Sequence, residues 1–157
     1  MPEPPDRDRL VRLKDIPRCD AGSPCPAVVA DEQLAHLSFY SAAEEDMAVI
    51  VTFWAAADLR FGSPGESALE DHALNARGLR PGKAYEVLRS SWLGNRRAQA
   101  AERSIEAVED LKRLRHYVFS FHDSLFECLS EGYTVKEVPG PTPLKLAVEL
   151  AMELRGV

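Results

Sequence analysis

The chain has 157 residues, with 19 basic and 25 acidic side chains and a formal net charge of −6. That length suits one domain with a proper core, and the acidic balance excludes a strongly basic nucleic-acid binder as the default reading, so no nucleic-acid partner is expected. The longest uncharged apolar run, Met47–Ala57, has 11 residues, against the roughly 20 that a spanning helix needs. The N-terminus lacks the apolar stretch of a secretory signal. No membrane partner is therefore expected, and a cytoplasmic location is. Three cysteines (Cys19, Cys25 and Cys128) without a signal peptide point to a reducing compartment rather than a disulfide framework. Fourteen arginines against five lysines, with twenty alanines, point to a GC-rich bacterial genome.

Residues 1–9, rich in proline and alternating charge, read as a disordered tail, and 10–157 as a single domain. Leu10–Ile16 is a short amphipathic stretch, and Asp20–Pro26 is turn material. From Ala27 the pattern turns β-rich. Leu34–Tyr40 and Met47–Phe53 read as an antiparallel pair joined by a short acidic loop, the second strand being the most apolar in the chain. That strand could run on past Trp54 to Phe61. Phe61–Gly82, with four glycines and two prolines, reads as a long loop of the kind that often carries function. Lys83–Trp92 reads as a strand. Gly94–Arg115 has apolar residues three and four apart and reads as helical, with Ser104 able to cap a second helix. His116–His122, Leu125–Leu129 and Tyr133–Val138 return to strand alternation. Thr142-Pro143 starts a final helix and Gly156 ends it. Leu144, Ala147, Val148, Ala151 and Leu154 form its apolar stripe, and the face with Leu144, Val148, Ala151 and Leu154 is expected to pack on the sheet. The whole reads as an α+β protein, an antiparallel sheet of four to six strands with helices packed on one face.

Two blocks carry the polar residues. In His116–Cys128, a turn at Asp123-Ser124 would bring Glu127 within a few pleats of His122, and such a pair can act as general acid and base. The plainer role of Asp123 and Ser124 is to make the turn, with His122 a structural hydrogen-bonder. Ser90-Ser91-Trp92 lies between a strand and a helix. Ser91 suits a helix N-cap or a ligand contact, and Trp92 could stack on a ligand or fill the core. His72, beside Asp71 in the long loop, is a further ligand-binding candidate. Cys25 sits between prolines with no cation in sequence to activate it. The histidines and cysteines show no zinc spacing, and no nucleotide-binding glycine motif occurs, so neither metal nor cofactor is expected.

Pro17–Pro26, Tyr85–Trp92 and His116–Cys128 together resemble a family of small bacterial proteins that share a Ser-Ser-Trp strand end and a Phe-His-Asp-Ser-x-Phe-Glu-Cys block. The resemblance carries over no catalytic residue. The expected function is binding of a small molecule near His122, Glu127, Ser91, Trp92, Asp123 and the 61–82 loop, with catalysis open. The alternative is a protein-interaction module using an edge strand or the 95–115 helix.

Overall fold

The computed structural model describes residues 8–20, 26–62, 73–122 and 124–157. In chain order the strands are β1 (Arg9–Arg12), β2 (Ala27–Ala30), β3 (Leu34–Tyr40), β4 (Met47–Trp54), β5 (Asp58–Gly62), β6 (Ala84–Leu88), β7 (Arg115–Ser120), β8 (Leu125–Ser130) and β9 (Gly132–Pro139). The helices are α1 (Ser91–Ala101), α2 (Ile105–Asp110) and α3 (Pro143–Arg155), with a 3-10 turn at Asn75–Arg77. Among the described residues the strands form two antiparallel sheets, one ordered β1-β6-β7-β8-β5 and the other β2-β3-β4-β9. The class is thus α+β and antiparallel as expected, but the strands are divided between two sheets.

Alternation explains the division of faces. Leu37, Phe39, Val49, Val51 and Phe53 of the smaller sheet pack against Tyr117, Phe119, Phe126 and Cys128 of the larger, closing a buried layer between the sheets. Phe53 is its hub: its ring centroid lies 5.7 Å from Phe119, 5.4 Å from Phe126 and 5.8 Å from Tyr117. Each sheet then carries helix on its other face. Leu93 of α1 packs with Leu114 and Leu129. Leu146 and Ala147 of α3 pack on Ala48 and Ile50.

The expected run-on beyond Trp54 is real but bent. At Ala55 the backbone turns left-handed (φ 50°), and the chain leaves one sheet for the other. Trp54 faces Gly132 while Asp58 faces Leu129, so one extra residue sits on the outgoing strand. This is a bulge, the usual device by which a strand changes sheets.

The final helix docks through a face that shares Ala147 and Ala151 with the expected stripe but is rotated away from its larger side chains. Its N-cap is Thr142, whose hydroxyl accepts from the Lys145 amide, and Gly156 is its left-handed cap, both as anticipated. Yet Leu146, Ala147 and Ala151 are buried, while Leu144 (61% exposed), Val148 and Leu154 face outward. The alanines let the helix approach the sheet closely. Arg155 fixes its rotation by hydrogen-bonding His36 and Asp31.

The expected 1–9 tail is described only at its end: Asp8 contacts α1, and Arg9 begins β1. The strand expected over Lys83–Trp92 stops at Leu88, and α1 starts at Ser91. Ser104 caps α2 as anticipated, accepting from the Ala107 amide.

Candidate functional site

The end of β6 leads directly into α1 through two unusual positions. Arg89 has φ 54°, a left-handed conformation that costs a non-glycine residue roughly 1–2 kcal/mol. Ser90 follows as the N-cap of α1. Its hydroxyl oxygen accepts from the Leu93 amide at 3.1 Å, satisfying one of the helix's open donors. The cap is therefore Ser90, one residue before the expected Ser91.

The same hydroxyl lies 2.7 Å from Nδ1 of His116 on β7. On the other side of the ring, Nε2 lies 2.9 Å from Oε1 of Glu127 on β8. His116 and Glu127 are 4% and 5% exposed. With Glu127 as a carboxylate, Nε2 must carry the proton and donate it. Nδ1 is then the acceptor, and the Ser90 hydroxyl donates to it while accepting from Leu93. Every group in the chain is satisfied in one direction, from the helix end to the buried acid. Trp92 meets the imidazole edge-on at 5.2 Å between centroids. Arg60 of β5 lies 3.9 Å above the Trp92 ring and is opposite Glu127 in the β5–β8 ladder. The imidazole is thus held by a carboxylate, a hydroxyl and an indole.

A cleft of about 670 Å³ opens at this point between β6, α1 and the start of β7. Ser90, Ser91, Asn95, Arg97, Arg115 and His116 line it. Glu127 lies behind His116, away from the cleft lining. Ser91 gives its amide to Asp8 Oδ1 at 2.6 Å and its hydroxyl to Asp8 Oδ2 at 2.9 Å.

Of the residues expected to form a site, Glu127, Ser91 and Trp92 do come together. His122 does not join them. The hairpin pairs Ser120 with Leu125 and Val118 with Glu127, so His122 lies beyond the strand end and is exposed. Its separation from His116 along the chain corresponds to roughly 20 Å of extended backbone. The imidazole that meets Glu127 is His116. The register decides this, because it places residues 116, 118 and 120 on the face that also carries 125, 127 and 129. His72, Asp123 and Cys25 lie outside the described residues. Ser90 and His116 are the candidate residues that the sequence motifs did not single out. The signal for them was the shared strand face of His116 with Ser120, combined with a serine at a strand-to-helix junction.

Other nucleophiles are poorly placed. Burial pushes the Cys128 thiol up to about 12. Burial, then the neighbouring Asp20, does the same for Cys19. Tyr133 is raised by burial and by its hydrogen bond to Asp15. Among the described residues no three His, Cys, Asp or Glu side chains converge as metal ligands, and no helix is long and apolar enough to cross a membrane. Compared with protein-family models, curated proteins and solved structures, the chain matches none of them.

Proposed function

We propose that the protein is an acyl-transfer enzyme that hydrolyses a small ester or thioester in the cleft beside Ser90. The observation that carries this reading is the continuous chain Ser90–His116–Glu127, with contacts of 2.7 and 2.9 Å, open to solvent at the serine end. A nucleophile, a base within hydrogen-bond reach and a third group that orients the base are the parts such chemistry needs, wherever they fall in sequence.

In this mechanism Ser90 Oγ attacks the acyl carbon while its proton passes to His116 Nδ1. Glu127 stabilises the resulting imidazolium through Nε2–H. The Ser91 amide is already held by Asp8 and the Leu93 amide by Ser90 Oγ, so what α1 offers the developing oxyanion is the positive end of its dipole. Collapse expels the leaving alkoxide or thiolate, which takes the proton back from Nδ1. Water, deprotonated by the same nitrogen, then attacks the acyl-serine; the Oγ–acyl bond breaks, Ser90 Oγ takes the proton back from Nδ1, and the acid leaves. The left-handed Arg89 fits this role, since strained backbone concentrates at sites where a side chain must be aimed.

The test uses a fluorophosphonate probe and p-nitrophenyl butyrate. The native protein should be labelled at Ser90, located by peptide mass spectrometry, and should hydrolyse the ester. Ser90→Gly keeps an acceptable helix start, costing only a few tenths of a kcal/mol as a cap, and should abolish both. Absence of labelling, with hydrolysis equal in both proteins, would leave a structural N-cap and favour the interaction-module alternative.

A further inference from the structure

We infer that the ester cleaved at Ser90 carries an anionic group, a carboxylate or phosphate, which binds on the Arg97–Arg115 side of the cleft; this rests on the acyl-transfer reading above. Among the described residues, Arg89, Arg97 and Arg115 line the cleft together with Glu86. With Asp8 on Ser91 and Glu127 behind His116 the nearby charges balance, so it is the placement of Arg97 and Arg115, not an excess of cations, that favours an anion. The helix end does not supply the anion site, because the Asp8 carboxylate already sits on both donors of Ser91. The remaining positive charge lies farther along α1 and across on β7.

Two contacts there are incomplete. Arg115 approaches Glu86 only to 3.6 Å through Nε, and its side chain is 60% exposed, so it can swing to a ligand at little cost. Arg97 gives Nη2 to the Leu111 carbonyl at a long 3.4 Å. Its Nε is buried and has no acceptor among the described residues. A guanidinium presents five donors in a fixed plane suited to a two-oxygen acceptor. An oxyanion in the cleft would meet the guanidinium of Arg97, which lines the same cleft as Ser90. The shared chemistry of carboxylate and phosphate is what the site reads.

The experiment compares p-nitrophenyl butyrate with mono-p-nitrophenyl succinate, which adds a carboxylate to an acyl chain of similar length. The expected kcat/KM favours the succinate ester by about ten- to a hundredfold. This preference should shrink when sodium chloride is raised from about 0.05 to about 0.5 M. Arg97→Gln should remove most of it through KM, whereas Arg96→Gln, a neighbouring arginine outside the cleft lining, should preserve it. Calorimetry with monomethyl succinate on the Ser90→Gly protein reads anion binding without turnover, and the same titration with inorganic phosphate separates the two anions. Ser90-dependent hydrolysis of both esters at equal rates would overturn the anion inference and leave the enzyme reading standing. Anion binding that needs Arg97, without Ser90-dependent hydrolysis, would do the reverse. No binding of either anion to the folded protein overturns the inference whatever the turnover.

Discussion

His116 and Glu127 meet diagonally across the β7–β8 ladder. His116 is directly opposite Leu129, and Glu127 is opposite Val118, yet Nε2 and Oε1 are 2.9 Å apart. Diagonal neighbours on one face are within reach of a long side chain, and both residues are almost fully buried. Removing Glu127 therefore leaves the buried Nε2–H of His116 without its acceptor. Glu127→Leu should destabilise the fold by about 1–3 kcal/mol in urea unfolding. Glu127→Gln keeps an acceptor and should cost less stability, while lowering Ser90-dependent turnover about 10²- to 10⁴-fold through loss of the charge that supports the imidazolium. Parental stability in the Glu127→Leu variant would show that the contact does not matter to the fold.

His122→Ala should change neither the melting temperature nor labelling of Ser90. The side chain is exposed beyond the end of β7 and does not line the cleft. Loss of labelling in this variant would return the site to the hairpin turn.

Acid should destabilise the protein through His36 at the other sheet. His36 Nε2 accepts from Arg155 Nη1 at 3.0 Å, and Nδ1 donates to Thr52 Oγ1 at 3.0 Å. Burial, then the Arg155 charge, holds this imidazole below its ordinary value of 6.5. The unfolded chain thus takes up a proton that the folded one refuses. The contribution is complete above pH 6.5 and is lost as pH falls from there through the lowered folded value. Asp31 acts in the same direction at lower pH. Its hydrogen bond to Arg155, then the Leu34 and Gln33 amides, hold it well below the ordinary 3.8. Melting temperature should decline on acidification from about pH 7, and His36→Gln should flatten the upper part of that decline. An identical pH profile for the variant would mean His36 titrates alike in both states.

The docked face of α3 can be checked by charge. Ala147 is fully buried against Ala48 and Ile50, so Ala147→Asp should cost several kcal/mol as an unpaired buried charge. Leu144→Ser and Val148→Ser, on the outward face, should stay within about 0.5 kcal/mol. Urea midpoints in the opposite order would mean the helix is rotated.

At the sheet-to-sheet corner, a Cβ on Gly132 would collide with Cζ2 of the Trp54 ring. Trp54 is 42% exposed and can swing aside. Gly132→Ala should therefore cost about 1 kcal/mol rather than unfold the protein. In a Trp54→Ala background the same change should cost close to nothing, because the clash partner is gone. An unchanged cost in that background would place the strain in the backbone.

Much of this architecture is written locally. The alternation of Leu37, Phe39, Val49, Val51 and Phe53, the Thr142-Pro143 start, the Ser104 cap and the Gly156 stop each depend on a few adjacent residues, and local chemistry suffices to read them. Three features depended on the tertiary structure. Whether β5 continues β4 or joins a second sheet turns on a one-residue bulge at Ala55, and the strands it pairs with, β8 and β9, lie far along the chain. Which stripe of α3 is buried turns on how closely Ala147 and Ala151 let it approach the sheet and on the Arg155 tether to His36. Which histidine meets Glu127 turns on the register of β7 against β8. Sequence alone marked the serine-rich strand end and the polar hairpin as the places to look. Only the pairing of β6 with β7 and β7 with β8 brought Ser90, His116 and Glu127 into one line, because hydrogen-bond contact is a matter of ångströms and no local pattern encodes it.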